Sequence, residues 1–207
     1  MNRQSLVAAA VVVALSAVLG ACSGGSDDKP KPVATTKPTA SSASPTTPAP
    51  VVETQPAGPN GVTYVVQDWD RYRTDEAVVA WTSIAQDLGA STNQGKLIPG
   101  LATRTSKKVL RIYSDAVDFS RRKDYHVAEV GDVKVSSSKV QGDRAELTMC
   151  LWSTTTGVRD KNDKAVGDDE NIWFKQDAVL SKASGQWVLK SIEDNGTCEG
   201  GAPKRLG

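Results

Sequence analysis

Apolar positions recur in two different rhythms after residue 74. Val78, Trp81, Ala85 and Leu88 stand three and four apart, which is one stripe of a helix. Thr74, with Asp75 and Glu76, reads as the start of that helix: a capping hydroxyl followed by acids at the positive end of the dipole. Gly89 reads as its stop, and Pro99-Gly100 as a loop. A second helix is predicted from about Ser106 to Arg122. Val109, Ile112, Tyr113, Ala116 and Phe119 form its core stripe, with Lys107, Lys108 and Arg111 on the other face. Arg121, Arg122 and Lys123 sit at its C-terminal end, where cations suit the dipole, so the run reads as a solvated helix end rather than a membrane or ligand patch.

The period then falls to two. Val130, Val133 and Val135 alternate loosely within 129–140, and Gly142-Asp143 marks a turn. Ala145, Leu147, Met149 and Leu151 alternate cleanly with Glu146, Thr148, Cys150 and Trp152. After a polar loop, Ile172, Phe174, Ala178 and Leu180 resume the pattern. Ser184-Gly185-Gln186 is a second hairpin turn, and Trp187, Val188, Leu189 and Ile192 build the last strand. Helices first and an antiparallel meander of about four strands second is an α+β arrangement, with the N-terminal helices packed on the sheet.

Upstream of this domain the pattern changes character. Arg3 precedes an apolar run from Leu6 to Leu19, and Gly20-Ala21 lead into Cys22. A run this short, ahead of small residues, reads as a secretory signal over residues 1–21 and not as a spanning helix. Leu19-Gly20-Ala21-Cys22 resembles the bacterial lipobox, which implies a diacylglyceryl group on the Cys22 thiol and cleavage that leaves Cys22 as the mature N-terminus. The expected partner is therefore the membrane, and the expected location is the extracytoplasmic face of the bacterial plasma membrane. At least two acyl chains hold a protein firmly where one holds it marginally. Residues 23–59 carry eight of the ten prolines among Ser, Thr and Ala. This composition cannot bury enough apolar area to offset ordering entropy, so 22–59 reads as a lipidated cysteine and disordered tether, either a spacer or a neutral linker.

The remaining segment, 60–207, holds all five Trp and both Phe and is long enough for one core. Within it 21 Lys and Arg face 21 Asp and Glu. Nucleic-acid binders draw affinity from a basic excess, so nucleic acid is not an expected partner.

The string AELTMCLWSTTTGVRDKNDKAV, followed by a strand and then SGQWVLKSIEDNGTC, resembles a family of actinobacterial secreted lipoproteins of unknown function. The shared features are a cysteine in the second strand, a long hairpin, a Trp opening the last strand (Trp187) and a cysteine just after it. The resemblance covers about residues 75–198. It implies a nuclear transport factor 2-like (SnoaL-like) domain, a cone in which a curved sheet wraps helices, and it implies no reaction. Isomerases and dehydratases of that fold place Asp, His or Tyr in the cone, which makes Tyr113, Asp118, Tyr125 and His126 the candidate cavity-lining residues. Asp118 or His126 would be the proton-transfer group acting on a small apolar substrate.

Cys150 and Cys198 are an even pair in an exported domain and read as a disulfide. A catalytic cysteine would need a base, and His126 is the only histidine. No nucleophile elbow, zinc ligand set, phosphate loop or dinucleotide fingerprint is present, so neither a metal nor a cofactor is expected. The loop 160–170 begins like a calcium loop at Asp160, but Ala165 and Asn171 stand where glycine and glutamate belong, so it reads as a solvated hairpin tip. The expectation is a non-enzymatic envelope protein whose partner is another envelope protein or a small ligand. The alternatives are a cone-fold isomerase or dehydratase and a purely structural surface factor.

Overall fold

The computed structural model describes residues 55–166 and 171–203. The signal segment, Cys22, most of the tether and Asp168-Asp169-Glu170 lie outside the described residues. In chain order the elements are β1 (Thr63–Val66), α1 (Trp69–Tyr72), α2 (Glu76–Gln94), α3 (Leu101–Arg104), α4 (Lys107–Lys123), β2 (His126–Val127), β3 (Val130–Gln141), β4 (Arg144–Trp152), α5 (Ser153–Thr156), β5 (Val158–Arg159), β6 (Trp173–Ala183) and β7 (Gln186–Cys198).

β3, β4, β6 and β7 form the expected antiparallel meander. A fifth strand, β1, joins its edge in parallel to β3, pairing Thr63 with Val130 and Val66 with Val133. β2 and β5 make a separate two-stranded ladder. The fold is α+β with a mostly antiparallel five-stranded sheet. In β4 the alternation holds: Ala145, Leu147, Met149 and Leu151 join the main core, while Cys150 and Trp152 belong to a second cluster. The Ser184-Gly185 turn has positive φ at both residues (51° and 79°), the backbone that a tight two-residue hairpin needs.

α2 differs from the sequence expectation at both ends. Asp75, not Thr74, is the N-cap; its carboxylate accepts from the backbone N–H of Ala77 and Val78 at 3.0 and 3.2 Å. The same side chain accepts from Ser138 Oγ at 2.6 Å, which ties the helix to β3. Gly89 does not stop the helix, which runs on to Gln94 and closes at Gly95 with φ 64°. Gly89 is there for closeness: a Cβ would lie 3.0 Å from Val62 and 3.3 Å from Val127. α2 thereby packs hard against β1 and β2.

α4 has the expected span and Ser106 as its N-cap. Its buried face is Val109, Tyr113, Val117 and Ser120. Ile112 and Phe119 are 43% and 48% exposed, and Ala116 lies between them, also exposed. Three of the five expected stripe residues therefore face solvent, because Val117 and Ser120 occupy the inward positions.

The chain also meets the domain earlier than composition indicates. The Gln55 side chain donates to Tyr64 O at 2.5 Å and accepts from Val66 N at 2.7 Å, which satisfies the free edge of β1.

Candidate functional site

The space between helices and sheet is filled. Trp81, Ile84, Leu101, Val109, Leu147, Met149, Leu180 and Leu189 are each at most 2% exposed and belong to one cluster. Tyr113 is part of this packing at 4% exposed. Burial pushes its phenol well above the ordinary range, with smaller contributions from Tyr64 and Asp194. Burial pushes the phenol of Tyr64, in the same cluster, up to about 12.

These two tyrosines give a pH prediction with a definite sign. A folded-state pKa raised above the unfolded value of about 10 leaves stability intact below pH 10 and removes it as pH climbs towards 12. For Tyr64 alone the loss is about 2–3 kcal/mol at roughly 1.4 kcal/mol per unit. Urea midpoints are expected to fall steeply between pH 10 and 12, with Tyr64→Phe flattening part of that slope. Phenolate absorbance from Tyr64 and Tyr113 should appear only with unfolding. Ionisation of all four tyrosines in the folded chain with midpoints near pH 10 would contradict this assignment.

The other candidate residues are scattered. Asp118 is on the outside of α4 in an i,i+3 ion pair with Arg121 at 3.2 Å. Tyr125 packs edge-on against Phe119, ring centroids 6.0 Å apart. His126 starts β2, and its Nε2 lies 3.3 Å from Asp163 Oδ1 in the long hairpin. Asp124, with φ 57°, closes α4, and Tyr125 and His126 follow it outside the helix. Tyr113 is thus in the core and the other three are at the surface; the structure brings no set of them together. Asp160, the first residue of the calcium-like loop, caps its own turn. Its carboxylate accepts from the backbone N–H of Lys164 and Asn162, which lowers its pKa. Among the described residues no group of three or more acidic, His or Cys side chains is placed to hold a metal ion.

Two polar clusters were not anticipated. The first is a surface groove of about 380 Å³ between the start of α2 and the two hairpin tips, lined by Thr74, Asp75, Glu76, Val140, Lys182 and Trp187. Glu76 Oε2 accepts from Lys182 Nζ at 2.6 Å and from Trp187 Nε1 at 3.3 Å. Those two hydrogen bonds, with the lysine charge, hold its pKa below the usual carboxylate range. An ionised carboxylate engaged this way is an acceptor and not an acid catalyst. The second cluster is the pair of Asp87 with Arg104, in which Asp87 also accepts from Asn60 at 2.6 Å and Arg104 donates to Ser83 at 2.8 Å. It links α2, α3 and the segment before β1. A carboxylate at position 87, among Ile84, Ala85, Leu88 and Ala90 of α2, is its one sequence signal.

The Cys150 and Cys198 sulfurs are at bonding distance, 1.95 Å. Beside them Trp152 and Trp173 meet edge-to-face at 5.1 Å, and Lys134 Nζ lies 4.9 Å from the Trp173 ring centre. Trp173 Nε1 donates to Gly201 O at 2.9 Å, so residues 199–201 close over this cluster. It forms a second, smaller core, separate from the main one.

No family model and no curated protein matches the chain. Among solved structures, the intermembrane space region of the chloroplast protein ARC6 aligns at 16% identity over 60% of this chain and 96% of that one, with a TM-score of 0.39. A SEC-C motif containing protein from Rhodopseudomonas palustris aligns at 14% identity over 64% and 98%, with a TM-score of 0.38. A de novo designed protein with a curved β-sheet reaches a TM-score of 0.24 at 16% identity over 41% and 64%. Among the described residues no helix is long and apolar enough to cross a membrane.

Proposed function

We propose that this chain is a lipid-anchored extracytoplasmic protein whose domain is a cone-type binding or interaction module acting through its surface. The observation that carries the reading is the filled interior. Trp81, Tyr113, Met149 and Leu180 pack together in one buried cluster, where a cone-fold isomerase or dehydratase would need open space for its substrate. Anchoring through Cys22 rests on the leader and the lipobox-like Leu19-Gly20-Ala21-Cys22, and the extracytoplasmic location is what the Cys150–Cys198 pair favours. The partner is another envelope protein, met at the surface.

The test starts from the full chain in the membrane of its own producing host. Cys22→Ser is expected to move nearly all of the chain from the membrane to the soluble fraction, and native mass spectrometry is expected to show the chain without a retained small molecule. A retained molecule would restore the pocket reading. Turnover of a substrate that drops at least tenfold in Asp118→Asn or His126→Gln would replace the module by an enzyme.

A further inference from the structure

The exposed side of α4 combines apolar side chains with cations. Ile112, Ala116 and Phe119 follow at i, i+4 and i+7, so they lie in one row along the helix. All three are exposed, and the Tyr125 ring extends the apolar row past the helix end by packing on Phe119. The adjoining face, Val109, Tyr113, Val117 and Ser120, is the buried one, with Val109 and Tyr113 in the main core, so the row lies beside the packed face of α4 and not on it. Around it α4 carries six Lys and Arg against two acids, Asp115 and Asp118, within a domain whose charges otherwise balance. Asp118 is engaged by Arg121, while Lys108, Arg122 and Lys123, the cations nearest the row, form no ion pair with a described residue.

An apolar row with unpaired cations on its flanks matches a lipid–water interface, where rings and aliphatic side chains enter the acyl boundary and cations meet phosphate headgroups. We infer that α4 docks on the anionic phospholipid surface of the membrane that carries the chain, through Ile112, Phe119 and the flanking Lys108, Arg122 and Lys123. The inference rests on the anchored reading given above. Cys22 is separated from Gln55 by 32 residues, which span at most on the order of 110 Å, so an anchored domain never leaves the neighbourhood of the bilayer. A tether of this length turns a weak surface affinity into frequent occupancy by raising the effective concentration of lipid.

The experiment uses the full chain in vesicles of phosphatidylglycerol, with a photoreactive benzoylphenylalanine at position 119 or, in a second chain, at position 140. Phe119 and Val140 are equally exposed at 48%, but Val140 lies in the groove beside the hairpin tips. Phospholipid adducts are expected at position 119 at least fivefold above position 140. They should fall at least fivefold in phosphatidylcholine vesicles, or when Arg122 and Lys123 are both changed to Glu. Equal yields at the two positions, yields indifferent to lipid charge, or adducts at 119 made mainly with a second copy of the chain would each overturn the docking. Flotation of Cys22→Ser on neutral vesicles scores the anchor separately. If that variant still floats, the anchor assignment fails, while the position 119 yields continue to report on α4.

Discussion

Trp81→Ala is expected to cost about 3–5 kcal/mol, a large part of the roughly 5–15 kcal/mol that holds a domain of this size together. Trp81, at 1% exposed, is the largest fully buried side chain of the main core. It sits on α2, the helix that also touches β1, β2 and the sheet, so the cavity left by alanine opens where several elements meet. α2 cannot collapse onto the gap freely. Asp75 fixes its start to Ser138, Gly89 already lies at contact distance from Val62 and Val127, and Asp87 is bound to Arg104. A rigid site pays more of the cavity term than one that relaxes. The midpoint of guanidinium unfolding reads the loss directly, and Trp81→Phe should recover a substantial part of it. A change under about 1 kcal/mol in Trp81→Ala would mean that the helix–sheet interior is not packed as described.

The legibility of this fold in its sequence follows from how many neighbours each segment has. β4 was readable residue by residue because it lies between β3 and β6 and has one face on the helices, which enforces strict alternation from Ala145 to Trp152. β1 was not readable, since four residues, TYVV, are too few for a period and their partner on β3 is more than sixty residues away. In α4 two rows have the same spacing, 109/113/117/120 and 112/116/119. Periodicity cannot choose between them, and the row that includes Ser120 is the one that went inside, so two large apolar residues were assigned to the wrong face. Gly89 misled for a related reason. Glycine marks helix ends through positive φ, as Gly95 does, but inside a helix it marks close approach, and one sequence cannot separate the two uses. The candidate residues are not gathered into one site: a left-handed cap at Asp124 ends α4, Tyr125 turns back onto Phe119, His126 goes on to β2 beside Asp163, and Asp118 pairs with Arg121.

Removing the Cys150–Cys198 link is the second change with a large expected effect, and it differs from Trp81→Ala in kind. The two residues are 48 apart, and closing a loop of that size restricts the unfolded chain by roughly 4 kcal/mol. The double variant Cys150→Ala with Cys198→Ala should therefore lower the melting temperature by on the order of 10–15 °C. It should leave the main core intact, because the disulfide belongs to the small cluster with Trp152 and Trp173, apart from the cluster that contains Trp81. The consequence is local as well as global. Cys198 is paired with Trp173 at the last register position of β6 and β7, and residues 199–201 are held over the Trp173 ring just beyond it. Without the link this end of β7 loses its covalent clamp, so hydrogen exchange at residues 194–198 should accelerate before exchange in β4 does. Reduction of the wild-type chain should be slow under native conditions, since Cys150 is fully buried, and fast once denaturant opens the sheet. Equal melting temperatures for the wild type and the double variant would show that the unfolded chain gains little from release of the loop. Rapid native reduction would show that β7 already opens at its C-terminal end with the clamp in place.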